Sequence, residues 1–171
     1  MIASLKKRFF SIFIDWLVIF AFVLCLLGFT LLFYLLILQK IPVFNEWQEN
    51  LVSFLTLIFP VFLYFVISES SEAHASIGKR KAGLVVASTT GELHMWQIIV
   101  RNILKLLPWQ VAHLAIFNII ANHSEPTPFF YISIIFVYVF PIVNIAVMVI
   151  RKDRRSLHDL IAKTIVLKKC V

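Results

Sequence analysis

An all-α membrane protein with four transmembrane helices is the fold class that this sequence predicts, and three observations predict it. The 171-residue chain is 61% hydrophobic, above the roughly 45–50% of a soluble domain. The excess is gathered into long unbroken runs rather than an amphipathic stripe, as lipid-facing segments require. Basic residues stand at the ends of those runs, where they would meet lipid head groups.

The expected spans are Ile12–Leu38, Leu51–Ser68, Ile103–Ala121 and Phe129–Ile150. In the first, Trp16–Leu38 is 23 residues without a charge. A signal-peptide core is about 7–15 residues and is followed by a small-residue cleavage site. This run has neither property and is expected to stay attached, despite Lys6, Lys7 and Arg8 ahead of it. At ~1.5 Å per residue the whole first span, Ile12–Leu38, reaches about 40 Å, enough to cross ~30 Å of hydrocarbon with tilt. A polar loop, Gln39–Asn50, carries Pro42 and the interfacial anchor Trp47. Pro60 interrupts the second span and predicts a kink there.

The loop 69–102 that follows is polar at first. Gly83–Ala87 then reads as a short strand, closed by a turn at Ser88-Thr89-Thr90-Gly91. From Glu92 to Leu107, His94, Gln97, Arg101 and Lys105 recur at spacings of three, four and four. They form one polar stripe on an apolar helix, which predicts an amphipathic helix lying in the cytoplasmic interface.

The third span is the weakest by hydropathy, since it holds Lys105, Pro108, His113 and Asn118. Charge bias decides in its favour. With four spans, three Lys/Arg precede the first, five surround the central loop and seven follow the last. Only Lys40 falls outside, which accounts for all 16. Both termini are therefore expected in the cytoplasm. In the tail 151–171, Thr164–Leu167 reads as a second strand that could pair with Gly83–Ala87, giving a short cytoplasmic β pairing. The inner segments are too short and polar to bury a core alone, so 1–171 is expected to be a single membrane domain.

Several chemistries are not supported. The net charge of +7 sits at span ends and does not point to nucleic acid. Cys25 and Cys170 are too few for a disulfide framework. Cys25 is expected to be a small packing residue of the first span. Cys170 stands second from the end, whereas a prenylation box needs its cysteine fourth from the end. His74, His94, His113, His123 and His158 show no metal-ligand spacing, so no metal is expected. Gly78-Lys79 is not a phosphate loop, because position 73 is not glycine and Arg80 follows the lysine. Nothing orders a nucleophile, so neither an enzyme nor a cofactor is expected.

Arg8 and Asp15 are seven residues apart and project from almost the same helix face. A carboxylate at the depth of Asp15 costs up to about 2.5–3.5 kcal/mol unless it is paired or faces a wet cavity. Arg8 is ~10 Å away along the axis, within reach only if its long side chain extends down. A cation from another segment, Lys79 or Arg101, is therefore the expected partner ahead of Arg8. The alternative is a proton or cation site.

Taken in order, Arg8-x6-Asp15, Ser76-Ile77-Gly78-Lys79 with Gly83-Leu84-Val85-Val86, Arg101-Asn102, and Leu157-His158-Asp159-Leu160-Ile161-Ala162-Lys163-Thr164 resemble the RDD family over nearly the whole chain. The arginine and two aspartates of that family's name fall at Arg8, Asp15 and Asp159. Lys163 stands where members usually carry glycine.

The resemblance implies a multi-pass membrane protein. Transport has been proposed for the family, cation/proton exchange is attributed to some members, and others bind membrane partners. Two readings follow: a small transporter or cation/proton exchanger using Asp15, and a non-transporting interaction or regulatory protein that binds another membrane protein. The expected site is a charge network of Arg8, Asp15, Lys79, Arg101 and Asp159 at the cytoplasmic boundary, with Asp159 acting as a latch or a lid. His113 and Asn118 are expected to make intramembrane polar contacts facing Asn144. The expected partners are anionic lipids at the cytoplasmic face, and a second copy or another membrane protein. The expected location is a bacterial plasma membrane.

Overall fold

A computed structural model describes residues 1–39 and 42–169. Lys40, the outer-loop lysine of the charge count, and Cys170 lie outside the described residues. In chain order the elements are α1 (Leu5–Leu38), α2 (Glu46–Ser70), α3 (Ile77–Ala82), β1 (Leu84–Ser88), α4 (Met95–Ala121), α5 (Pro128–Ile150), α6 (Leu157–Ile161) and β2 (Thr164–Lys168). Four of them, α1, α2, α4 and α5, are long and apolar enough to cross a membrane.

Helix starts follow local chemistry. Ser4 accepts from the Lys7 N–H, and Asn45 and Gln48 close a reciprocal capping box. Thr127 caps α5 just ahead of Pro128, whose missing N–H costs nothing in the first turn. The disturbance expected at Pro60 takes the form of a widened π turn, Phe54–Ile58, immediately before it.

The surface is apolar and charged side chains are gathered inside beside an apolar core, unlike a soluble domain. Phe13, Leu35 and Ile132 are 60%, 71% and 69% exposed, while Arg8, Asp15, Glu69, Lys79, Arg101 and Asp159 are buried. Cys25 also faces outward rather than packing inside.

One expected element is absent. No separate interfacial helix precedes the third span, because α4 runs without a break from Met95 to Ala121. The polar stripe that suggested a helix lying on the interface turns inward, with Gln97 and Arg101 buried. Gln97 donates to Ser88 of β1 and to the Ala162 and Lys163 carbonyls. Arg101 meets Glu69 of α2, Asp159 of α6 and Thr164 of β2, so the helix stands in the bundle.

The small sheet forms much where its strands were expected. β1 pairs antiparallel with β2 from Leu84↔Lys168 to Ser88↔Thr164, and Ile2 bridges Leu167. Leu84 and Val166 face inward with Ala3 and Ala82, which brings the first residues, the central loop and the tail to one end of the bundle. Gly83 ends α3 with φ +67°, and its N–H bonds the Arg80 carbonyl. Lys163 takes φ 54°, a left-handed conformation that a glycine would adopt without strain.

Candidate functional site

The site is built on the face of α1 that carries Arg8, Ser11 and Asp15, the buried residues of that helix. Asp15 is 3% exposed, and hydrogen bonds rather than a cation surround its carboxylate. Oδ1 accepts from the Tyr64 hydroxyl (2.8 Å) and the Gly78 N–H (2.9 Å), and Oδ2 accepts from Ser76 Oγ (2.7 Å). The Lys79 ammonium donates to Ser76 Oγ at 3.2 Å, so positive charge reaches Asp15 through one hydroxyl. Tyr64 in turn accepts from the Ile77 N–H at 3.1 Å. Through Asp15, α3 is therefore bolted to α1 and α2.

Packing explains why residue 78 is glycine. A Cβ there would lie 2.1 Å from the Ser11 carbonyl oxygen and 2.8 Å from Asp15 Cγ. A main-chain oxygen in a helix cannot yield to that, so only hydrogen fits.

Lys79 makes its own ion pair with Glu69, at 2.9 Å. Glu69 Oε2 also lies 3.3 Å from Arg101 Nε and accepts from Asn102 Nδ2 at 3.0 Å. Arg101 Nη1 donates to Asp159 Oδ1 and to Thr164 Oγ1. Arg8 Nη1 meets Asp159 Oδ2 at 3.3 Å, and Arg8 Nη2 donates to the Val166 carbonyl at 3.3 Å. Asp159 further closes the capping box of α6 by accepting from Ser156. It is fully buried, yet Arg101 and Arg8 hold its carboxyl well below the usual carboxylate range. Thus Asp159 joins α1, α4, α6 and β2 in one contact.

The five expected network residues do meet, in two linked groups. Asp15, Lys79 and Ser76 form one, and Arg8, Arg101 and Asp159 the other, with Glu69 between them. The direct cation expected on Asp15 is absent among the described residues, because hydroxyl and N–H donors occupy that place. Glu69 is the residue that the sequence reading missed. The signal was there: Arg8, Lys79 and Arg101 are three cations facing two aspartates, and an acid closes the second span.

The three expected intramembrane contacts fall apart. His113 Nδ1 donates to its own helix at the Trp109 carbonyl, 2.8 Å away. Asn118 lies toward the far end, where it bonds Thr127 Oγ1 (2.6 Å) and Glu46 (3.4 Å). Asn144 meets His158 instead, with Oδ1 at 3.1 Å from Nδ1. Burial pushes the His158 imidazole down to about 3, keeping it neutral. Arg155, expected only as a flanking charge, clamps the tail through the Thr164 and Asp159 carbonyls.

A partly open cavity of about 230 Å³ sits above these charges. Arg8, Asp15, Arg101, Lys105 and Asp159 line one part of it, and Ile19, Val23, Leu57 and Val61 another.

The family model described as RDD family matches residues 2–163. No curated protein and no solved structure matches the chain.

Proposed function

This chain belongs to the RDD family, and we propose that it is a non-transporting, non-enzymatic interaction protein of the plasma membrane. In this reading its latched end faces the cytoplasm, and its apolar exterior binds another membrane protein or a second copy. The charge distribution supports that orientation, with three, five and seven Lys/Arg in the inner segments. The same basic flanks would attract anionic lipid.

The observation that carries the choice is the closure of Asp15. An exchanger needs a carboxylate that can release its donors and take up a proton or cation in each cycle. Here two side-chain hydroxyls and the Gly78 main-chain N–H fill the carboxylate, and Gly78 presses against it. Emptying it would undock α3 from α1. Glu69 and Asp159 are likewise engaged, each with two basic partners. A charge network of this kind fixes geometry rather than carrying ions.

The test is reconstitution of the full chain in liposomes loaded with a pH-sensitive dye. Sodium, potassium and proton gradients should drive no flux above that of empty liposomes, and in-membrane crosslinking should recover one specific protein band. Flux that disappears in Asp15→Asn, while that variant keeps its fold, would establish the exchanger instead.

A further inference from the structure

The charge inventory of the latched end does not balance. Arg8, Lys79, Arg101 and Lys105 stand against Asp15, Glu69 and Asp159, leaving one basic residue in excess. The excess can be located. Among the described residues, Lys105 has no hydrogen bond and no carboxylate partner, and its ammonium lies 3.1 Å from the centre of the Phe65 ring. Arg8 is 6% exposed, and its Nε–H finds no acceptor among the described residues. Both residues line the cavity. A buried donor without a partner is costly. Arg8 Nε is one, and the half-buried Lys105 ammonium has only the Phe65 ring for company. These two cationic side chains around one cavity point to an anion.

The rest of the cavity is of a different character. Its lining on α1 runs from Arg8 to Val23, about 22 Å along the axis at ~1.5 Å per residue. Past Asp15 that lining is Trp16, Ile19 and Val23, facing Leu57 and Val61 of α2. The space is cationic at one end and apolar along its length. At about 230 Å³ it exceeds the ~150 Å³ that accommodates a benzene.

We propose that this cavity binds an anionic amphiphile, a carboxylate or phosphate head group on an acyl chain. The head would sit between Lys105 and Arg8, and the first part of the chain along Ile19, Val23 and Leu57. This site is independent of the interaction reading above, because it needs neither a partner protein nor any property of Asp15.

Two of the four tryptophans, Trp16 and Trp109, line the cavity with ring centres 5.3 Å apart, and they supply the readout. The full chain, with Trp47 and Trp96 replaced by phenylalanine, is placed in neutral phosphatidylcholine nanodiscs. Brominated stearate, brominated phosphatidylglycerol and brominated phosphatidylcholine are then titrated in. One of the two anionic probes should quench at a concentration at least about tenfold below the neutral lipid, and which one does so identifies the source. Lys105→Met should remove that advantage and Lys105→Arg should retain it, with no fall in melting temperature because Lys105 holds no acid. Leu57→Phe, which fills the apolar part, should weaken the acyl probes too. Equal quenching by all three lipids, or an unchanged titration in Lys105→Met, overturns the proposal. So does full displacement by millimolar inorganic phosphate or acetate, which would make the site one for small anions.

Discussion

Gly78→Ala is the sharpest test of how the central loop is held. The added methyl would stand 2.1 Å from the Ser11 carbonyl oxygen and within 2.9 Å of Asp15 Oδ1. Ordinary carbon–oxygen contact begins near ~3.4 Å, so α3 must retreat from α1 by roughly 1 Å. A retreat of that size stretches the bonds of 2.9 and 2.7 Å that Gly78 and Ser76 make to Asp15 beyond hydrogen-bonding range. Overpacking costs about 1–3 kcal/mol, and loosening donors from a buried carboxylate about 1.5–3 kcal/mol more. The sum, ~3–6 kcal/mol, corresponds to a drop of roughly 6–20 °C for a domain of this length.

The assay is thermal unfolding of the detergent-solubilised chain followed by tryptophan fluorescence. Gly28→Ala is the control, because a Cβ there meets nothing within 4 Å and should raise helix stability by up to ~1 kcal/mol. If Gly78→Ala melts within about 2 °C of the wild type, the close docking of α3 on Asp15 is wrong.

Three further outcomes are expected. Asp159→Asn leaves Arg8 and Arg101 without their shared carboxylate and should cost about 3–5 kcal/mol; a melting temperature close to wild type would show that the latch is not formed. Lys163→Gly relieves a left-handed φ of 54° and should stabilise the chain by roughly 0.5–1 kcal/mol, a rise of a few degrees in the same assay; a lower melting temperature would argue against the strain. His158 is depressed to about 3 by burial, so below its unfolded value near 6.5 the unfolded chain binds a proton that the folded chain refuses. Stability should therefore fall as pH drops from about 6.5 toward 3, by up to ~1.4 kcal/mol per unit, and His158→Gln should flatten that limb above pH ~4. A limb unchanged in the variant would place the proton elsewhere. Asp159 is also depressed, but it contributes only below its ordinary value of 3.8.

The crossing helices are legible because each needs about twenty apolar residues whatever its neighbours do. Positions 84–88 and 164–168 are legible as strands through their β-branched runs between turn residues. Arg8, Asp15, Arg101 and Asp159 stand out because an ionisable group beside a span is expensive. What escapes notice is whatever depends on which side of a helix meets protein. The stripe Gln97, Arg101, Lys105 has one period whether it faces water or a packed interior, so the same pattern fits a helix lying flat and one standing upright. The partners of Asp15 are hydroxyls and a main-chain N–H, and these carry no charge to count. Asn144 shows only that a polar group sits in a span; that it turns to His158 and not to His113 is settled by the return of the tail beneath α5.

The Asp159 contact also sets an order of events in biogenesis. Arg8 is made first and Arg101 much later, and the acid they share arrives only after α5, the last crossing helix, has been made. Until then Arg8 lacks its carboxylate, Arg101 has only Glu69, and the edge of β1 has no strand to pair with. The closing contact can therefore form only on a chain whose four helices have all been made. A chain that stops short leaves Arg8 without its acid, Arg101 with Glu69 alone and β1 unpaired. The latch thus closes only on a finished molecule, and its closure reports that all four helices are in place.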